Sequence, residues 1–251
     1  MTQALTDQKS LALKIKRAIG HKAWRMLTRP VAWALKLVPQ RVLFAVGLML
    51  RKGSYPYSII QEGDVAVQVG APHDLLRIGR SRAVYFAMLV GKTGRLFIFE
   101  PEPKSARAME AYLARAGLSD RVTVVNKGCW YEERVLRFWA NPDHPASNLL
   151  EDVSEWPVDE LERRGYRPSE VPVIAMDTVL AEAGVARVKV LSVTTNGSEE
   201  EILRGAEGYL AGKVDYLALA ETGPEVQALS AKHGFVNIAT DDRGFTSKRQ
   251  G

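Results

Sequence analysis

Val65-Ala66-Val67-Gln68-Val69-Gly70-Ala71-Pro72, followed farther on by Arg95-Leu96-Phe97-Ile98-Phe99-Glu100-Pro101-Glu102-Pro103, is the part of the chain whose reading decides the fold. Each half opens with a short apolar run. The first run breaks at a glycine and the second ends in an acid. A glycine after a first strand lets the backbone approach a ligand closely. An acid at the end of a second strand can accept both hydrogen bonds from a ribose diol. The pair reads as the first βαβ unit of a Rossmann-like, nucleoside-binding α/β domain.

The segment between the two strands narrows the ligand. A dinucleotide needs a tight G-x-G-x-x-G turn whose amides face a pyrophosphate, but here Gly70 is followed by Ala71-Pro72-His73 and the next glycine is Gly79. S-adenosylmethionine carries a ribose and no phosphate, so it fits a loosened glycine loop with a retained ribose acid. Gly91-Lys92-Thr93 imitates the end of a P-loop, yet Phe86 stands where the first glycine belongs and a strand follows, so it reads as a turn.

With 251 residues and 46% hydrophobic content, the chain can bury one sizeable core. Cys129 is the only cysteine, which excludes an internal disulfide and makes a reducing, cytoplasmic compartment the default. The histidines, His21, His73, His144 and His233, are scattered and offer no metal-ligand spacing. The net charge of +5 is uneven, because residues 1–53 hold eleven Lys/Arg against one acid, Asp7. The remainder is net acidic, which argues against a nucleic-acid partner for the catalytic body.

Residues 1–53 read as a basic helical extension, and residues 54–251 as the main domain. Lys14, Arg17, His21 and Arg25 share one helical face, while Leu11, Ile15, Ala18, Ile19 and Met26 share another. The apolar runs Val31–Val38 and Val42–Leu50 are too short to span a bilayer, and no signal-peptide pattern is evident. Two readings stay open for this front end: a cap packed on the domain, or peripheral contact with an anionic membrane surface.

In the body, helical spacing over 104–116 stops at Gly117, and Val122–Asn126 reads as a third strand. Val135–Trp139 suggests a hairpin partner for the segment near Cys129. Residues 141–172 are rich in Pro, Asp, Glu and Asn and read as a surface excursion with one short helix, the place for a substrate lid. Asn141-Pro142-Asp143-His144 within it matches the Asn-Pro-Pro-aromatic loop of amino methyltransferases too poorly to count. Strands are then expected at 173–177, 188–193, 214–221 and 235–239, with helices at 178–183, 198–210 and 224–232. Such alternation calls for a mostly parallel sheet covered by helices on both faces, with ligands at the carboxyl ends of the strands.

Taken in order, Gly70-Ala71, Leu89-Val90-Gly91-Lys92-Thr93-Gly94-Arg95, Phe99-Glu100-Pro101-Glu102-Pro103, Met176-Asp177-Thr178-Val179-Leu180 and the run from Asn196 to Glu207 resemble the FkbM family of S-adenosylmethionine-dependent methyltransferases. The resemblance covers about residues 60–240. It implies the seven-stranded class I methyltransferase sheet with a last antiparallel strand near the carboxyl end. It also implies O-methylation of a sugar or natural-product hydroxyl, with a small-molecule, glycan or lipid-headgroup acceptor. This chain departs from the family pattern where an acid usually precedes the glycine turn, since it has Gln68. Where the family usually reads Lys-Ile-Asp-Val-Glu-Gly, it has Ser192-Val193-Thr194-Thr195-Asn196-Gly197.

The expected cofactor-binding set is therefore Gln68, Gly70, Ala71, Glu100, Pro101 and Asn126, with Glu100 on the ribose and Asn126 toward the adenine. Thr194 and Asn196 end the strand where substrate should meet the methyl group; being neutral, they can position a hydroxyl but cannot act as strong bases. A base would be sought in His73, Asp74 or Glu221. The lost acids keep a second reading open, a noncatalytic binding or scaffold protein that retains the fold.

Overall fold

The computed structural model describes residues 38–220 and 223–250. The expected basic helix around Lys14–Arg25, and Glu221, lie outside the described residues. A first helix, α1 (Gln40–Arg51), leads into β1 (Val65–Val69), two helices α2 (His73–Arg77) and α3 (Arg82–Leu89), β2 (Arg95–Phe99), α4 (Pro103–Ala116) and β3 (Val122–Val125). A small-sheet region follows: β4 (Gly128–Cys129), β5 (Arg134–Ala140), β6 (Leu149–Leu150), α5 (Val158–Arg163) and β7 (Arg167–Ile174). The alternation resumes with α6 (Met176–Glu182), β8 (Val188–Val193), α7 (Glu199–Arg204), α8 (Glu207–Leu210), β9 (Val214–Leu219), α9 (Pro224–Lys232), β10 (Phe235–Thr240) and β11 (Phe245–Arg249).

Seven strands form the main sheet in the order β10-β11-β9-β8-β1-β2-β3. β1 pairs in parallel with both β2 and β8, and β11 is antiparallel to both its neighbours. This is the expected class I methyltransferase sheet, with the reversed strand last in the chain. Because the sheet is covered on both faces, its strands are near-continuous apolar runs whose alternate residues serve different cores. Val67, Phe97, Leu191 and Leu217 pack in one cluster with residues of α6, α7 and α8. Ala66, Leu96, Ile98, Val190 and Ala218 pack in the other, with Phe44 of α1 and much of α3 and α4. Part of the expected extension is thus seated on the body, as Phe44 stacks against Tyr85 and Tyr112 at ring-centroid distances of 5.5 and 5.1 Å.

The small sheet has the order β4-β7-β5-β6 and corrects two expectations. β5 pairs with β7 along its whole length rather than with the segment near Cys129, and that segment pairs with Val173 and Ile174 instead. Residues 167–172, read as excursion, are therefore strand. Pro168 and Pro172 disguised it, yet β4 reaches only Val173 and Ile174, so each proline can turn its missing N–H toward an open edge. The region expected to be one helix over 198–210 breaks between α7 and α8. Gly205 is pressed against the carbonyl of Trp130, and Asp177 accepts hydrogen bonds from the amides of Gly208 and Tyr209 at 2.7 and 3.2 Å. Met176-Asp177 and Gly205-Ala206, two pieces of the family pattern, thus lock the small sheet to the main one.

On the α1 side, the β10–β11 turn is tied down by a buried cation. Arg82 donates to Asp241 at 3.0 Å, to Asp242 at 2.6 Å and to Ser192 of β8 at 3.2 Å, and Tyr57 donates to Asp242. The Asp241 side chain is fully buried. Replacing Arg82 by Met would leave that carboxylate without its counter-charge, and urea unfolding of the variant is expected to show a loss of about 3–5 kcal/mol.

Candidate functional site

Two adjacent strand ends build the centre of the site. At the end of β1, Gly70 adopts φ +82°, and a Cβ there would lie 2.6 Å from the carbonyl oxygen of Thr194. Only glycine combines that conformation with so close an approach to the end of β8. At the end of β2, Glu100 turns its carboxylate back across the turn. One oxygen accepts the Ala71 amide at 2.7 Å and the other accepts the Glu102 amide at 3.0 Å. Burial pushes this carboxyl up to about 7, against the pull of the two amides, which favour the ionised form.

Gly70, Glu100, Pro101, Thr194 and Asn196 line one cavity of about 70 Å³, together with Cys129, Ile202 and the segment Pro145–Leu150. The structure therefore brings together five of the sequence candidates. Among the described residues lining this cavity Glu100 is the single charge, and no Lys, Arg or His contributes. Asn196 closes it from above, its amide donating to the carbonyls of Ala146 at 3.1 Å and Asn148 at 2.7 Å. These bonds strap part of the polar excursion over the strand ends. On the far side of Asn196 lies a more open groove of about 260 Å³ that also takes in Gly197, Val153, Ser154, Glu155 and Trp156.

The other candidates are placed elsewhere. Gln68 is buried on the opposite face from Val67 and Val69. Its amide donates to Thr194 Oγ1 at 2.8 Å and to the carbonyls of Val69 and Gly70 at 2.8 and 3.0 Å, stitching β1 to β8 rather than facing the cavity. The Ala71 side chain is buried, and its amide serves Glu100. Asn126 donates to the carbonyls of Glu100 and Pro101 at 2.8 and 3.2 Å, holding the acid's own backbone. His73 is turned onto α4. Ser105 donates to Glu102, so its oxygen accepts from both the His73 amide and Nδ1 at 3.0 Å, which fixes Nδ1 as the protonated ring nitrogen. Asp74 starts α2 and accepts the Leu75 amide. Sequence reasoning expected a lid somewhere in 141–172 but did not single out the Pro145–Leu150 strap or the Glu155-Trp156 pair within it.

The donor set fits S-adenosylmethionine. Each Glu100 oxygen spends one lone pair on an amide and keeps capacity for a ribose hydroxyl. The absence of cationic side chains among the described lining residues suits a positively charged sulfonium. No group of three or more His, Cys, Asp or Glu suited to a metal ion occurs among the described residues.

Comparison with known proteins identifies the family. Residues 68–228 match the model of the methyltransferase FkbM domain. No curated protein matches the chain. Among solved structures it is similar to methyltransferase FkbM from Methylobacillus flagellatus KT, with 17% identity and TM-score 0.45, covering 77% of this chain and 45% of that one. It is also similar to fibrillarin from Aeropyrum pernix in complex with natively bound S-adenosyl-L-methionine, with 12% identity and TM-score 0.43, covering 81% and 73%. A SAM-dependent O-methyltransferase from Thermotoga maritima shares 13% identity at TM-score 0.40, covering 86% and 67%. The family match runs from the end of β1 into α9, taking in more than half of the chain and both the glycine turn and the acid, and on it the chain belongs to the FkbM family of S-adenosylmethionine-dependent methyltransferases.

Proposed function

We propose that the protein methylates a hydroxyl group of a glycan, lipid headgroup or secondary metabolite, with Glu100 as the residue that holds the cofactor's ribose. The observation that carries this reading is a buried carboxylate, the single charge among the described residues lining the cavity, set at the end of β2 beside the Gly70 turn. When bound, S-adenosylmethionine supplies a methyl group on a positively charged sulfur, open to in-line attack. Gly70 allows the backbone to approach the ligand, and Asn126 and Ala71 hold Glu100 rather than touch the ligand themselves. Asn196, beyond the end of β8, lines both the cavity and the open groove, where its neutral side chain can orient an acceptor hydroxyl, while Thr194 lines the cavity alone. In that groove the partly exposed Trp156 ring, whose one face carries the Arg164 guanidinium at 4.2 Å, lies beside the Glu155 carboxylate, chemistry suited to a polyhydroxyl ring. Glu155 is then the described carboxylate on the acceptor side able to take the hydroxyl's proton.

The Pro145–Leu150 segment overhangs the strand ends with Asn196 as its catch, and on this reading it swings aside as the cofactor enters. A noncatalytic scaffold is disfavoured by the retained ribose acid, and turnover of S-adenosylmethionine with a panel of glycan and lipid acceptors separates the two.

Calorimetric titration tests the Glu100 role. Ribose hydroxyls donate to the ionised carboxylate, so affinity for S-adenosylmethionine is expected to fall about tenfold per pH unit below about 7. Stability of the free protein runs the other way. The raised folded-state pKa contributes stability that is full below the ordinary value of 4.5 and is lost as pH rises through about 7. Glu100→Gln should weaken cofactor binding by about ten- to a hundredfold and abolish the pH slope; unchanged affinity and slope would remove Glu100 from the site. Asn196→Ala is expected to raise amide hydrogen exchange across 145–150 and to speed cofactor association several-fold, which stopped-flow mixing would measure.

A further inference from the structure

The outward face of α1 is apolar. Val42 and Val46 are each 48% exposed, Met49 is 64% and Leu50 is 55%, and their spacing places them on one stripe. A surface helix normally turns such residues inward. This one is already committed on its other face. Phe44 is buried among aromatic rings, Gly47 lies against Tyr85 with no room for a side chain, and Leu43 packs on Gly79. Its two ends are fastened as well, Gln40 donating to the Leu76 carbonyl and Arg51 facing Asp242 at 3.5 Å. The exposed stripe therefore belongs to a helix that cannot roll over to hide it.

The surroundings of the stripe are basic. Arg41 and Lys52 are exposed at either end of α1. Residues 1–37, which lead directly into it, carry eight Lys/Arg against one acid. Apolar side chains framed by cations match the two layers of an anionic bilayer surface, acyl boundary beneath and negative headgroups around. Among the described residues no helix is long and apolar enough to cross a membrane, so the contact would lie in the surface. We infer that α1 is a membrane-docking helix, inserting Val42, Val46, Met49 and Leu50 into the interface of an anionic bilayer while Arg41 and Lys52 at its ends neutralise headgroups.

The placement bears on the acceptor, and this link rests on the transferase reading above. Leu76 and Gly79 follow the end of β1, and Asp242 follows the end of β10, so α1 is fastened to the same carboxyl edge of the sheet that carries Gly70, Glu100 and Thr194. Docking through α1 would bring that edge to the bilayer and favour a hydroxyl carried by a lipid.

Co-sedimentation of the full chain with vesicles tests the docking without any need for catalysis. Binding is expected to phosphatidylserine-rich vesicles, to weaken with salt, and to be absent with phosphatidylcholine alone. Val46→Asp/Met49→Asp, at two exposed positions, should reduce binding roughly tenfold or more with an unchanged melting temperature. As a second readout, an environment-sensitive fluorophore on Met49→Cys should brighten with anionic vesicles; the native Cys129 is buried. No binding of the wild-type chain to anionic vesicles, full binding by the double aspartate variant, or a label that stays in water would overturn the inference. A concentration-dependent dimer abolished by the same two substitutions would overturn it in favour of a second copy on the stripe. Because the S-adenosylmethionine titrations are done without lipid, failure here and failure of the transferase reading are read separately.

Discussion

The hydrogen bond from the Ala71 amide to the Glu100 carboxylate, 2.7 Å long, is the contact on which the site depends. It joins the loop after β1 to the end of β2, so that the glycine turn and the acid are set by one another. Glu100 is buried, and a carboxylate without amide partners there would cost several kcal/mol or stay protonated. Asn126 fixes the same corner from behind by holding the carbonyls of Glu100 and Pro101. Remove this corner and the positions of Gly70, Pro101 and the cavity floor are no longer specified.

Around that corner, side chains that look catalytic by position are employed in construction. Gln68 and Thr194 form a neutral pair that closes the carboxyl ends of β1 and β8, where the family pattern usually places acids. The ionisation of Glu100 is set first by burial, which raises its pKa, then by the two amides, which pull it down, with a smaller upward push from the nearby Glu102 and Asp74 carboxylates. His73 is likewise occupied, joined through Ser105 to Glu102, which ties the start of α2 to the start of α4.

The main sheet was legible because parallel strands buried on both faces leave uninterrupted apolar runs, and Val65–Val69, Arg95–Phe99 and Val188–Val193 are such runs. The helix Arg82–Leu89 left no periodic trace, since Arg82 to Ala87 are all buried and an element apolar on every side has no face to betray it. β7 was hidden by Pro168, Pro172 and a polar, mostly exposed beginning. In the site, Gly70 and Glu100 could be read locally, because a strand end and its turn define their work. The tasks of Gln68, His73 and Asn196 depend on Thr194, Ser105 and the 146–148 carbonyls, partners that lie far along the chain and become neighbours only on folding.

Cys129 lines the cavity beneath the strap, where burial raises its thiol well above the ordinary value. A protonated, enclosed thiol is a poor nucleophile, so alkylating reagents can reach it only in molecules whose cover is momentarily open. Its rate of modification thus becomes a built-in clock for that opening, one that a bound nucleoside would slow and that needs no knowledge of the acceptor.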